Sequence, residues 1–335
     1  MVLIISQETD ESTNEVIKWL KYFETPFFRF NGSYLANHSR LSFEITGRNT
    51  RKLKGLPFNP EDIKVVWYRR WDGYRNIEMD HIIKDPDIDI SLKRYAEDEY
   101  KNISYNIFST LEHCYWLSQP IKHRINDKAY ILKLAQRHKL NVPRTFVINN
   151  KKDIRVLLGE GINLITKSMS NAKTIKIQSS SYIPYTKTIY LNDLQKMPSY
   201  FSPTLFQEKV EKKYEIRIFY LDKSFYSMAI FSQQDEKTQT DFRHYNHQKP
   251  NRFIPYELNS NILNKLQNLL DELKIQTCSI DLIRGIDNEY YFLEINLIGQ
   301  FGMTSHPCNY NLEKIIAEFL TEKLKSFNKH EPIPC

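Results

Sequence analysis

The sequence predicts a mixed α/β (α+β) protein of two or three domains, and three observations support this class. Short apolar strands alternate with amphipathic helices along the chain. A length of 335 residues is enough for several domains with a sizeable core. The hydrophobic content of 41% and the charged content of 26% are typical of a globular protein, and no apolar run approaches membrane length.

Charge and cysteine usage exclude several classes of function. The net charge of +7 comes from dispersed basic residues, whereas a nucleic-acid-binding protein usually concentrates them in one stripe. The 4 cysteines are scattered, which indicates neither a zinc site nor a disulfide framework. The start reads as a strand rather than a signal peptide. We therefore expect a cytoplasmic protein without nucleic-acid or membrane partners.

Residues 1–120 have the pattern of a small α/β domain. Val2–Ser6 is a predicted strand, and the apolar residues of Glu11–Glu24 recur at helical spacing. Asp62–Arg70 is a predicted buried strand with a basic, aromatic end, which is either a binding lip or a strand end that packs on a neighbouring domain. Residues from Leu92 to Leu117 are predicted to form one helix.

Two further segments are predicted at 121–202 and 203–328. The first contains a helix starting at Lys128 and an apolar strand, Ile162–Lys167, that ends on a lysine before a small-residue loop. The second contains a strand at 204–210, a hairpin at 214–232 and a closing helix at 309–325. The chain therefore predicts an N-terminal domain followed by two α+β subdomains.

The most informative stretch is the predicted hairpin Ser279–Gln300. Its first strand carries Asp281, and its second strand places Glu294 and Asn296 two residues apart, on one face. Two carboxylates and an amide oxygen would then converge, which is a donor set suited to Mg²⁺ held together with substrate phosphates. The alternative is a surface hairpin whose polar residues face water, although a lone charge such as Glu294 after an apolar run needs a partner or a metal.

Lysines, a hinge-like strand and this hairpin follow one another in an order that resembles the ATP-grasp superfamily. The resemblance implies an ATP-grasp fold behind an N-terminal preATP-grasp α/β domain, with ATP and Mg²⁺ as cofactors. It implies that Lys128, Lys167 and Arg217 contact the nucleotide phosphates and that the hinge Glu208, Lys209 and Val210 contacts adenine. It implies contacts with the ribose or on the metal side for Glu215. It also implies that Mg²⁺ is bound by Asp281, Glu294 and Asn296.

Three strings narrow the resemblance to the microviridin-type and grasp-with-spasm peptide maturases, the graspetide synthetases. They are V-V-W-Y-R-R at 65–70, D-F-R-H-Y at 241–245 and L-E-I-N-L-I-G-Q-F-G at 293–302. Such enzymes join Asp or Glu side chains of a ribosomal precursor peptide to Thr or Ser as esters, or to Lys as amides. The resemblance also implies recognition of a leader peptide, for which the 214–232 hairpin is a candidate, and a homodimer.

The predicted chemistry activates a carboxylate by phosphorylation. The tetrahedral intermediate that follows needs a preorganised cation, for which Arg243 is the first candidate and Arg217 the second. The sequence does not identify a general base. Two rival functions remain: another ATP-grasp ligase that joins separate molecules, such as a glutathione-synthetase-like or glutamate-adding enzyme, and a non-catalytic peptide- or nucleic-acid-binding protein of the same fold.

Overall fold

The computed structural model describes residues 1–37, 42–46, 50–71, 90–120, 127–169, 175–177, 180–182, 185–233, 235, 238, 242, 248 and 250–328. The chain divides into two compact units. Unit 1 consists of Met1–Pro120 with Asn311–Cys335, and unit 2 is Ile121–Tyr310. The subdomain boundary predicted after residue 202 remains a prediction.

Unit 1 is built on a four-stranded sheet in the order β2-β1-β5-β6, with all neighbouring strands parallel. All five residues of the inner strand β1 are buried, so both faces of the sheet are covered at this strand. The elements of this part are β1 Val2–Ser6, α1 Glu11–Tyr22, β2 Phe27–Asn31, α2 Ser33–Asn37, β3 Ser42–Thr46, β4 Thr50–Lys54, β5 Val65–Tyr68, α3 Ile90–Ser109 and β6 Tyr115–Leu117.

The prediction of one helix from Leu92 to Leu117 is wrong at its end. Helix α3 stops at Ser109, and Tyr115–Leu117 instead forms strand β6, which pairs in parallel with β5. Pairing with a buried neighbouring strand overrides the helical spacing of the apolar residues. At the end of β5, Trp67, Arg69 and Trp71 are buried, and Trp71 packs in the apolar core of unit 1, so these side chains do not form an exposed lip.

Unit 2 contains two main sheets and the helices that cover them. Their strand orders are β11-β8-β12-β7 and β15-β14-β13-β16-β17, with antiparallel neighbours throughout. The elements are α4 Lys128–Arg137, β7 Thr145–Asn150, α5 Lys151–Gly159, β8 Leu164–Lys167, β9 Ile175–Ile177, β10 Ser180–Tyr182, β11 Lys187–Ile189, α6 Asp193–Lys196, β12 Tyr200–Glu208, β13 Lys212–Leu221, β14 Ser224–Phe231, β15 Arg252–Tyr256, α7 Ser260–Glu272, β16 Thr277–Gly285, β17 Tyr290–Asn296 and α8 Gly302–Cys308.

The two faces of the five-stranded sheet of unit 2 differ: one is apolar, and the other mixes charged side chains with apolar ones such as Met228 and Ile230. Apolar residues of β13, β16 and β17, such as Ile216, Ile280 and Ile295, pack under α4 and α7 in the largest buried cluster. Because successive side chains of a strand point to opposite faces, the residues between them project from the other face. That other face carries the predicted metal ligands.

The last helix, α9 Leu312–Asn328, belongs to unit 1, although the sequence placed it at the end of the third segment. It packs on α1, and the hydroxyls of Thr25 and Thr321 lie 2.7 Å apart in this contact. None of the described helices combines the length and the apolarity that crossing a membrane requires. The predicted α/β class is confirmed, since both units mix helices with sheets.

Candidate functional site

The three predicted metal ligands lie on one face of neighbouring strands. Asp281 on β16 is directly opposite Glu294 on β17, and Ser279 is opposite Asn296. The register shifts between Asp281 and Leu282, because β17 inserts Leu293 as a bulged residue at this point. A bulge re-aims the side chains that follow it, so Glu294 and Asn296 both face Asp281.

Hydrogen bonds join these three side chains into one cluster. The Nδ2 atom of Asn296 donates to Asp281 Oδ2 and to Glu294 Oε1, each at 3.1 Å. The two carboxylates therefore approach the same point from neighbouring strands. A cation at this point would have two carboxylates and the amide within reach.

This donor set fits Mg²⁺, which takes few protein ligands and leaves positions for phosphate oxygens and water. One rearrangement is required. Asn296 presents its nitrogen to the carboxylates, whereas ligation needs its Oδ1 atom on that side. A half-turn of the amide about its terminal torsion exchanges the two atoms, and amide orientation follows the hydrogen bonds that surround it.

Two lysines surround Glu294 with positive charge. The Nζ atom of Lys128, at the start of α4, lies 2.9 Å from Glu294 Oε2. Asp127 caps this helix by accepting from the backbone of Ala129 and Tyr130, which orients the first turn. Burial alone would raise the pKa of Glu294, but the charges of Lys128 and Lys167 and the hydrogen bonds from Lys128 and Asn296 outweigh it and lower the pKa to about 2.

Lys167 is brought to the same place from the other sheet. It ends β8, opposite Leu205 of β12, and its charge acts on Glu294. Lys128 and Lys167 are 39 positions apart in the sequence, and both lie within electrostatic range of one carboxylate. Two ammonium groups beside a carboxylate pair are suited to holding a polyphosphate together with a divalent cation.

Arg217 on β13 adds a guanidinium to the cluster. Its Nη1 atom lies 2.7 Å from Asp281 Oδ1 and 2.6 Å from Asp281 Oδ2. The side chain is only 10% exposed, and its Nε atom is buried without an acceptor in the described part of the chain. A buried donor without a partner is costly, so Arg217 retains a directed N–H for an incoming acceptor.

The predicted hinge begins at Glu208, the last residue of β12. The backbone N–H of Glu208 donates to Arg144 O and that of Lys209 to Asn163 O, each at 2.8 Å. These bonds fix the backbone that leads to Val210. Strand alternation places the side chain of Gln207, not that of Glu208, on the face that carries Lys167, since Gln207 and Leu205 are two residues apart and Leu205 is opposite Lys167.

Glu215 lies on β13, two residues before Arg217, and its side chain projects from the same face as that of Arg217. It forms an ion pair with Lys212, and the hydroxyl of Ser232 donates to it at 3.1 Å. Lys212 and Glu215 are 7% and 12% exposed. The predicted role of Glu215 toward ribose or metal stays a prediction.

The structure therefore brings six predicted residues into one cluster: Lys128, Lys167, Arg217, Asp281, Glu294 and Asn296. Arg243, the first candidate for the oxyanion, lies outside the described residues. The sequence predicts Gln207 as part of the hinge-like strand 207–210 and Lys212 as a contact for an acidic leader; the ion pair of Lys212 with Glu215 is not among its predictions.

Comparisons with known proteins bear on the fold of the chain. No protein-family model matches the chain, and no curated protein matches it either. Among solved structures, a Chryseobacterium gregarium RiPP-associated ATP-grasp ligase, in complex with ADP and a leader and core peptide, is 25% identical with a TM-score of 0.81. The match covers 97% of this chain and 96% of that chain.

Two other solved structures are similar. The macrocyclase MdnC from Microcystis aeruginosa, bound with the precursor peptide MdnA, is 24% identical with a TM-score of 0.79, and the match covers 96% of this chain and 99% of that one. The ATP-grasp ligase PsnB, complexed with a minimal precursor, Mg and ADP, is 16% identical with a TM-score of 0.74, and the match covers 96% of each chain. The chain has the ATP-grasp fold, and the predicted resemblance to peptide-maturing ATP-grasp ligases is confirmed.

Proposed function

We propose that this chain is an ADP-forming, ATP-dependent ligase that closes intramolecular crosslinks in a ribosomally made precursor peptide. It would activate Asp or Glu side chains of the peptide as acyl phosphates and join them to Thr or Ser as esters, or to Lys as amides. The observation that carries the proposal is the cluster of two carboxylates, an amide and three cations. It lies in a fold that a ligase holding ADP and a leader and core peptide matches over 97% of the chain.

The residues of the cluster would bind the metal, the phosphates and the nucleoside of ATP. Mg²⁺, when bound by Asp281, Glu294 and Asn296, would offset charge on the ATP phosphates. Lys128 and Lys167 would hold phosphate oxygens. The hinge 208–210 would hold adenine through its backbone, and Glu215 would contact the ribose.

Arg217 and Arg243 would act on the peptide. The substrate carboxylate attacks the γ-phosphate and ADP leaves; a hydroxyl or amine of the same peptide then attacks the acyl carbonyl and phosphate leaves. The net change in the peptide is the loss of one water for each link. Because both reacting groups belong to one bound peptide, the second step benefits from proximity.

The leader and core of the precursor peptide are the proposed partner, as in the solved complexes of the similar ligases. The 214–232 hairpin remains our candidate for leader docking. We also propose a homodimer in the cytoplasm, where ATP is supplied; the mass of the protein in solution, measured by light scattering, tests the dimer.

The proposal is tested by the intact mass of the peptide encoded beside this gene after incubation with the protein, ATP and Mg²⁺. We expect the loss of one or more whole waters, and no change when ATP is omitted. Mild base hydrolysis then separates esters from amides. A peptide that gains mass would instead indicate a ligase that joins separate molecules, and an unchanged peptide without nucleotide binding would reject the proposal.

Replacing Arg243 with alanine tests its proposed role at the oxyanion. We expect ATP binding to persist and the rate of water loss to fall by about 10²–10³, the usual effect of removing one oxyanion donor. The measurement is single-turnover formation of the crosslinked peptide, with ADP affinity measured in parallel. Unchanged turnover would remove Arg243 from the mechanism.

A further inference from the structure

A buried serine lies directly across from the amide of the candidate metal site. Ser279 and Asn296 are opposite each other in the register of β16 and β17, so their side chains project from the same face. Directly opposed residues have Cβ atoms about 4.5–5.5 Å apart, which lets a hydroxyl and an amide form one hydrogen bond. Ser279 is 1% exposed, and its hydroxyl makes no hydrogen bond within the described part of the chain.

The backbone of Gly299 covers this serine. A Cβ atom at Gly299 would lie 1.9 Å from Ser279 Oγ and 2.8 Å from the Ser279 backbone nitrogen, so no larger residue fits here. The close approach keeps water away from the hydroxyl. A buried hydroxyl without a hydrogen bond is unfavourable, and each such group calls for an explanation.

The orientation of Asn296 supplies that explanation. Its Nδ2 atom donates to Asp281 and Glu294. When Oδ1 faces a cation between these carboxylates, Nδ2 turns away and loses both acceptors. The amide N–H of the half-buried Asn296 then needs another acceptor, and the oxygen of Ser279 is unused and lies on the adjacent strand.

We propose that Ser279 is a positioning residue of the metal site, whose hydroxyl accepts a hydrogen bond from Asn296 Nδ2 and so holds the amide oxygen toward the cation. The inference rests on the proposed function, because it takes Asn296 as a ligand. Ser279 itself touches neither the cation nor the nucleotide. It acts through Asn296, as outer-shell hydrogen-bond partners do at other metal sites.

The test is calorimetric titration of Mg²⁺, and separately of Mn²⁺, into the whole protein saturated with ADP. We expect Ser279→Ala to weaken the affinity for both ions about 10- to 100-fold. The free energy of unfolding without metal and nucleotide should be unchanged or higher, because the substitution removes a buried hydroxyl that has no partner there. Ser279→Cys keeps a side-chain acceptor atom at this position, but sulfur is a weaker acceptor than oxygen. The metal affinity of this variant should therefore fall between those of the wild type and Ser279→Ala.

Thr304→Val is the matched control. Thr304 is also 1% exposed and its hydroxyl is also without a hydrogen bond in the described residues, but it lies on α8 and is not paired with a predicted ligand. We expect its metal affinity to equal that of the wild type.

Three results would overturn the inference. Equal metal affinity in wild type and Ser279→Ala would remove the role while leaving the proposed function intact. An equal loss in Thr304→Val, accompanied by a lower free energy of unfolding in both variants, would show a general packing effect. A wild-type protein that binds ADP but neither ion would reject the metal site on which both the inference and the proposed function depend.

Discussion

Replacing Glu294 with glutamine is expected to lower the rate of ATP-dependent water loss from the peptide by about 10³-fold or more. Glutamine keeps the shape but removes the charge that Lys128 contacts at this position and that a bound cation would contact. A bound metal supplies several kcal/mol of charge stabilisation in the transition state, and each 1.36 kcal/mol is tenfold in rate. The measurement is single-turnover peptide mass at saturating ATP and Mg²⁺.

The matched control is Glu289→Gln. Glu289 is an exposed carboxylate on the turn of the same hairpin, where it accepts from Asn141, and it lies outside the cluster. We expect turnover in this variant to stay within about twofold of the wild type, as is usual for exposed substitutions away from a site. Glu294→Gln turnover within tenfold of the wild type would contradict the assignment of Glu294 as a metal ligand.

Replacing Arg217 with lysine is expected to lower turnover by about 10²–10³ while leaving the fold intact. Lysine preserves a positive charge beside Asp281, so the ion pair that Arg217 makes there is retained in part. It cannot reproduce the planar guanidinium, whose Nε atom is buried and unused in the described structure. If that second donor serves the reacting carboxylate, the rate falls by the amount typical of one lost oxyanion donor.

Two measurements separate this role from a structural one. The free energy of unfolding should change by less than the rate does, and ADP affinity should change little, because the lost donor acts on the peptide. Arg137→Lys is the control: Arg137 is an exposed arginine on α4 that pairs with Glu272 outside the cluster. Should Arg217→Lys turn over peptide at the wild-type rate, Arg217 would be only an ion-pair partner of Asp281.

Much of the candidate site follows from short sequence patterns. A two-residue spacing places Glu294 and Asn296 on one face of a strand whatever surrounds it. The turn at Gly285 to Asn288 brings Asp281 close to them in the hairpin, and the bulge at Leu293, which the spacing does not reveal, puts Glu294 directly opposite it. Side-chain alternation in a strand has a period of two residues, and the two strands of a hairpin are close to each other in the sequence. Both properties are therefore local. The three ligand candidates were therefore readable without coordinates.

Contacts between distant segments were not readable in this way. The ion pair of Lys128 with Glu294 joins residues 166 positions apart, and no periodicity encodes the packing of α4 against β17. The strand Tyr115–Leu117 has helical spacing, yet it pairs with β5 because the buried sheet edge satisfies its backbone.

The sequence by itself determined the α/β class and the residues of the candidate metal hairpin, because each depends on patterns shorter than about 20 residues. Only the tertiary structure decided the orientation of the Asn296 amide, the pairing of Arg217 with Asp281 and the burial of Ser279 under Gly299. The physical reason is that hydrogen bonds and burial between distant segments depend on long-range packing, which local spacing does not specify.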